Sequence, residues 1–158
     1  MEYFKRVTPE AVGIASEGIL DFLEEVEQKG IEMHSLMVLR HGQCCAAGWW
    51  APYGPQDMNP LFSFSKTLTA TAVGFAWQEG LLSLDEKIID IFPEEAPREA
   101  SPNLQKVTLK HLLTMSSGQE SEPLRGPKGM MKTPDWIKIF MNHPVVHEPG
   151  TFYIYNTS

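Results

Sequence analysis

Phe62-Ser63-Phe64-Ser65-Lys66-Thr67-Leu68-Thr69-Ala70-Thr71-Ala72-Val73 joins the chain's single Ser-x-x-Lys to an unbroken run of small and apolar residues. The run predicts a helix that extends to about Gly80 and is largely buried, because apolar residues recur on every side of it. Residues three apart share a helical face, so Lys66 falls beside the Ser63 hydroxyl. A serine is a weak nucleophile until a neighbouring base takes its proton, and a desolvated lysine supplies such a base. The helix start adds backbone N–H groups and partial positive charge near Ser63. The same four residues also fit a serine that caps a helix and a lysine that lies in solvent.

Upstream, Val12, Ile14, Ile19, Leu20, Leu23 and Val26 recur at helical spacing among acidic residues. Thr8 before Pro9 reads as an N-cap and Gly30 as the stop, which predicts one amphipathic helix. Leu36–Arg40 and Cys44–Trp50 read as two strands joined by the glycine-containing turn His41-Gly42-Gln43. Two strands need further cover to be stable, and no later segment reads as a third. Trp49 and Trp50 then fall on opposite faces of their strand.

Downstream of the Pro52–Pro60 loop and the Ser63 helix, the chain reads as helix and loop. Leu81–Lys87 restarts a helical turn with Ser83 as cap, and Pro93, Pro97 and Pro102 impose an extended connection. Thr108–Met115 forms a short helix ended near Gly118, and Thr133-Pro134-Asp135 starts another through Met141. Trp77 and Trp136 take packing positions on their helices. Gly126-Pro127-Lys128-Gly129 reads as a flexible loop without the setting of a phosphate-binding loop.

Twenty acidic against thirteen basic side chains leave a net charge of -7, a balance that repels nucleic acid. The 42% hydrophobic content suits a globular domain, and no stretch reaches the eighteen or more apolar residues of a membrane span. The adjacent Cys44 and Cys45 suit neither a disulfide framework nor a metal-ligand spacing, which makes the reduced cytoplasm the default location. His34, His41, His111, His143 and His147 form no compact metal pattern, since Pro144 breaks the helix that would align the last two. His41 belongs to the hairpin turn, and His111 to a helix surface or a polar core contact.

Near the C-terminal end, Glu148-Pro149-Gly150 precedes the aromatic run Phe152-Tyr153-Ile154-Tyr155. Tyr155 fits a turn that leads into packed structure; folded back on Ser63, its phenol could relay a proton. Four segments occur in order: Phe62–Thr67, Gly80–Ile88, Thr108–Gly118, and Pro149-Gly150-Thr151 ahead of Tyr155. Together they resemble the serine β-lactamase-related superfamily, in its class C, D-alanyl-D-alanine carboxypeptidase and esterase-like branch. The resemblance covers nearly the whole chain.

It implies an α+β fold of the β-lactamase/transpeptidase type, with an antiparallel sheet flanked by helices and a mainly helical lobe. The C-terminal strands and helix of the family have no match, so residues 1–158 read as the N-terminal portion of a single catalytic domain. The resemblance further implies Ser63 as acylated nucleophile, Lys66 as general base, Tyr155 as the family tyrosine, and Thr157 where class C enzymes carry a substrate-binding asparagine. A hydroxyl cannot copy a carboxamide, which disfavours β-lactam recognition and leaves an ester as the expected substrate. The alternatives are a β-lactamase or D-alanyl-D-alanine peptidase, and a non-catalytic scaffold or binding fragment. No metal or organic cofactor is implied. The expected partners are a small-molecule ester or amide and, over uncovered surface, a complementary C-terminal fragment or a second copy, with no nucleic acid and no membrane.

Overall fold

The computed structural model describes residues 3–125 and 135–157, and its contacts divide the chain into two compact units, Met1–Pro60 and Leu61–Ser158. The expected loop at Gly126–Gly129 and the expected helix start at Thr133-Pro134 lie outside the described residues.

The first unit carries a mixed three-stranded sheet. Strands β1 (Lys5–Arg6), β2 (Ser35–Arg40) and β3 (Gln43–Trp49) lie in the order β1-β3-β2. The hairpin forms as expected, and His41 (φ 52) and Gly42 (φ 70) give its two-residue loop the positive dihedrals that match strand twist. The sheet nonetheless departs from the expected antiparallel pair. Lys5 and Arg6 run parallel to Gln43 and Cys44, in a strand too short to show alternation in the sequence. A register shift between Val38 and Leu39 pairs Val38 with Ala46 but Leu39 with Cys44. The extra residue in β3 lets both Cys44 and Cys45 be buried, although neighbours on a regular strand alternate faces. Both are free thiols.

The single N-terminal helix expected from the apolar spacing is instead two elements. A 3₁₀ turn at Glu10–Val12 ends at Gly13, whose φ of 72 reverses the chain, and helix α1 (Ser16–Gln28) starts after the extended Ala15. The apolar period runs through the break, which hid it. Within α1, Ile19, Leu23 and Val26 turn inward while Leu20 and Phe22 remain exposed. Gly30 stops the helix as expected, with Gly30 N donating to Glu27 O and Ile31 N to Val26 O. The loop after β3 folds back on His34, whose ring stacks on Tyr53 at 3.7 Å and whose Nδ1 lies 2.8 Å from Asn59 Oδ1.

Thr8 does not cap α1. Glu10 does part of that work, its Oε1 accepting from Ser16 N at 3.0 Å, and hydrogen bonds from Ser16 hold the carboxyl below its ordinary 4.5. A depressed carboxyl pKa adds stability above the unfolded value, and that stability is lost as pH falls through the folded one. Glu10→Gln is therefore expected to weaken amide-exchange protection at Ser16–Gly18 near neutral pH, and acidification of the wild type should reproduce the effect.

In the second unit, a 3₁₀ turn at Phe62–Phe64 feeds helix α2 (Ser65–Gln78), which Gly80 closes with the same pair of bonds, Gly80 N to Trp77 O and Leu81 N to Ala76 O. The expected burial of α2 is not found. None of its residues is buried; Leu68, Phe75 and Trp77 are more than half exposed, and Lys66 is partly exposed. An all-round apolar helix needs cover on several sides, and this unit packs little against it. Trp77 and Trp136, expected at packing positions, are both exposed.

Leu81–Lys87 is a turn, not a helix. Ser83 Oγ accepts from Asp85 N, and Ser83 O accepts from Glu86 N, so the serine closes a local turn before α3 (Ile88–Ile91). The stretch then joins the segment at Thr108: Lys87 bridges Thr108, Ile88 N donates to Val107 O, Leu109 N to Glu86 O and Lys110 N to Leu84 O. The proline-rich connection is not extended throughout but folds into turns and a 3₁₀ turn at Leu104–Lys106. Ile88, Leu104, Val107, Met141 and Val145 form the core beneath it. Burial of each such side chain contributes about 1.5–3 kcal/mol.

Helix α4 (Leu109–Leu113) ends five residues before Gly118, because Met115 takes a φ of 55. Its start is a capping box between Thr108 and His111, a use of His111 closer to a cap than to a surface or core contact. Helix α5 (Trp136–Met141) begins at Asp135, whose carboxylate accepts from Lys138 N. Among the described residues, no helix is long and apolar enough to cross a membrane.

Candidate active site

Ser63, Lys66 and Tyr155 come together within the second unit. Ser63 occupies the 3₁₀ turn that enters α2, and Lys66 lies in the first turn of that helix. Ser65, the other hydroxyl between them, is committed elsewhere: its Oγ donates to Phe62 O at 2.7 Å. Phe62 itself holds a φ of 44, a strained value for an aromatic residue that sets the direction of the turn carrying Ser63.

Tyr155 arrives from the other end of the chain. Lys66 Nζ lies 5.2 Å from the centre of its ring, and both Ser63 and Lys66 bear on its phenol. Interaction with the Ser63 hydroxyl is the main cause that draws the phenol below its ordinary pKa of 10.0. Lys66 acts in the same direction, while desolvation and the negative charge of Glu122 oppose it. The phenolate is thus more accessible than in a free tyrosine.

The path of residues 145–157 explains this convergence. Gly118 O accepts from both Val146 N and His147 N at 3.0 Å, Gly150 N donates to Ser116 O, and Ile154 N donates to Met115 O. Gly118 has to be glycine: its φ is 90, and an added Cβ would stand 2.3 Å from His147 O. Gly118→Ala is expected to lower the thermal midpoint by about 5–10 °C, from strain of about 1–3 kcal/mol and the backbone clash, as read by a calorimetric melt.

Thr157 is exposed near the site, and its backbone N donates to Glu122 Oε1 at 3.0 Å. Two residues absent from the sequence reading prove to be central. Asn156 is buried, and its Nδ2 donates to Oε1 of the fully buried Gln119 at 3.2 Å. Glu122 holds Thr157 and bears on the Tyr155 phenol. Alternation along 152–157 was the available signal for Asn156; nothing in the sequence marks Glu122.

An open cavity of about 730 Å³ is lined by Lys66 and other residues of α2, by Leu109, His111, Leu112 and Leu113, and by Trp136, Phe140, Asn156 and Thr157. Ser63 and Tyr155 do not line it. Among the described residues, no group of three or more His, Cys, Asp or Glu side chains could hold a metal ion. His143 instead meets Ser121 Oγ at 2.9 Å, and His147 pairs with Glu120 and stacks on Phe152.

The chain is 31% identical over 118 residues to the probable fimbrial assembly protein FimD, serogroup H1, of Dichelobacter nodosus. It has the same identity to the putative fimbrial assembly protein FimD, serogroup D, of that organism. Each alignment takes in 70% of this chain, which spans about 29% of the length of these curated relatives. Residues 21–158 match the β-lactamase family, and the chain therefore belongs to the β-lactamase-related serine-hydrolase superfamily.

Proposed function

We propose that this chain carries the acylation machinery of a serine hydrolase that acts on a carboxylic ester, with activity expressed in a longer protein. The observation that carries the reading is the approach of Tyr155 to the Ser63–Lys66 turn, with Lys66 Nζ 5.2 Å from the centre of its ring. Ser63 Oγ attacks the acyl carbon and forms a new C–O bond. Its proton passes to the Lys66–Tyr155 pair, with Lys66 as base and Tyr155 as relay. The Ser63 N–H is one donor to the tetrahedral oxyanion. Collapse of the intermediate expels the alcohol, which takes back the proton, and water then releases the acid.

Thr157 borders the substrate, where its hydroxyl offers less to an amide side chain than a carboxamide would, and this favours esters. No cofactor enters the scheme. The substrate is a small ester, and the exposed apolar residues of α2 are covered by a complementary C-terminal segment or another copy. Two buried free thiols support a reducing, cytoplasmic location. The expected result is faster turnover of p-nitrophenyl acetate than of nitrocefin by the longer protein. The reverse order would move the reading to a β-lactamase or peptidase.

The names of the relatives, fimbrial assembly proteins, favour a second reading as a scaffold or binding fragment. That reading predicts no covalent adduct at Ser63.

A further inference from the structure

The burial of residues 151–157 alternates along the extended segment: Phe152 and Ile154 are partly buried and Asn156 is buried, while Tyr153, Tyr155 and Thr157 are exposed. Side chains of an extended chain point alternately to opposite faces, so the inward set fixes the aim of the outward set. Tyr155 is 49% exposed. Packing around its ring is therefore incomplete, and its direction rests heavily on the backbone beneath it.

That backbone is held at three levels by residues 115–122. Ile154 N donates to Met115 O at 3.1 Å, Asn156 Nδ2 donates to Gln119 Oε1 at 3.2 Å, and Thr157 N donates to Glu122 Oε1 at 3.0 Å. The middle contact differs from the other two because both partners are buried, with Gln119 at 0% and Asn156 at 7% exposure. A buried hydrogen bond between side chains is costly to break, since water does not replace the lost partner. Gln119 is oriented in turn by Phe140 O, which accepts from its Nε2 at 3.0 Å. A carbonyl can only accept, so this bond directs Oε1 toward Asn156.

We propose that Gln119 is a positioning residue of this site: anchored on Phe140 O, its buried carboxamide holds Asn156 and so aims the Tyr155 phenol at Ser63 and Lys66. The proposal deepens the acyl-transfer reading and rests on it for its catalytic consequence. Its structural content stands apart, because the aim of the phenol can be measured without any reaction. The charged or titratable groups that bear on Tyr155 are Lys66 and Glu122, and the Ser63 hydroxyl also bears on the phenol. Release of the phenol from Ser63 and Lys66 would return it toward the ordinary tyrosine value.

The test compares wild type with Gln119→Met, which keeps the bulk and removes both polar ends, and with Asn156→Ala, which cuts the same contact from the other side. The Tyr155 titration is read as the ultraviolet difference between each protein and its Tyr155→Phe counterpart. The rate of fluorophosphonate labelling at Ser63 is read in parallel. Expected are an upward shift of the Tyr155 midpoint toward 10.0 in both variants and labelling about tenfold slower or more. Gln119→Glu, a carboxyl kept neutral by burial that still accepts from Asn156 and donates to Phe140 O, should restore most of the rate. A midpoint unchanged in either folded variant would overturn the proposal. A shifted midpoint in a protein that Ser63 reagents do not label would support the positioning role while removing the acyl-transfer reading.

Discussion

Ser63→Ala is expected to abolish fluorophosphonate labelling, a loss of at least about 10³-fold, while Ser65→Ala retains most of it. The two serines are two residues apart and both near the start of α2, so the contrast isolates geometry from composition. Ser63 faces the Tyr155 phenol, whereas Ser65 spends its proton on Phe62 O at 2.7 Å. Loss of the Ser65 hydroxyl removes one local bond to the strained Phe62 turn, worth about 0.5–1.5 kcal/mol, and leaves the attacking oxygen intact. Equal losses in the two variants would place the nucleophile in doubt.

Removal of the proton acceptors is the second large effect. Tyr155→Phe deletes the phenol on which Ser63 and Lys66 both bear and should slow labelling by about 10²–10⁴-fold, the usual contribution of a positioned acid–base group. Lys66→Met should cost at least as much, because it removes the assigned base and the neighbour that lowers the Tyr155 pKa. The pH profile gives the sign. A group whose pKa is depressed loses its proton at a lower pH than usual, so the wild-type rate should rise with pH through a midpoint below 10.0. In Lys66→Met the midpoint should move upward, as the influence of Lys66 is lost, and in Tyr155→Phe the phenol inflection should vanish. A profile identical in all three proteins would exclude the pair as the base.

The elements most legible in the sequence were those fixed by local chemistry. His41-Gly42 specifies a two-residue hairpin loop, and Gly30 closes α1 through its left-handed conformation. Long-range consequences were less visible. Lys5 and Arg6 pair with β3 in a two-residue strand that carries no period of its own. Gly13 interrupts a helical apolar pattern that continues on both sides of it. Ser83 has the character of a helix cap, yet the backbone of Leu84–Ile88 is drawn into pairing with Val107–Lys110, and the helix starts later.

The site shows the same division. Ser63 and Lys66 are neighbours through helical spacing alone, but Tyr155 reaches them only because Gly118, Ser116 and Met115 tie down the chain before it. The resemblance to a known family anticipated that meeting; periodicity could not. The apolar face of α2 misled in the opposite sense. All-round hydrophobicity indicates cover, and this chain leaves Leu68, Phe75 and Trp77 exposed.

Peptide mapping after reaction with a fluorophosphonate tests the central claim most directly. The account predicts one phosphonyl adduct on the peptide that contains Ser63, localised to that residue by fragmentation and absent after heat unfolding. An adduct at Ser65 or Ser121 instead, or no adduct on folded protein, would contradict it.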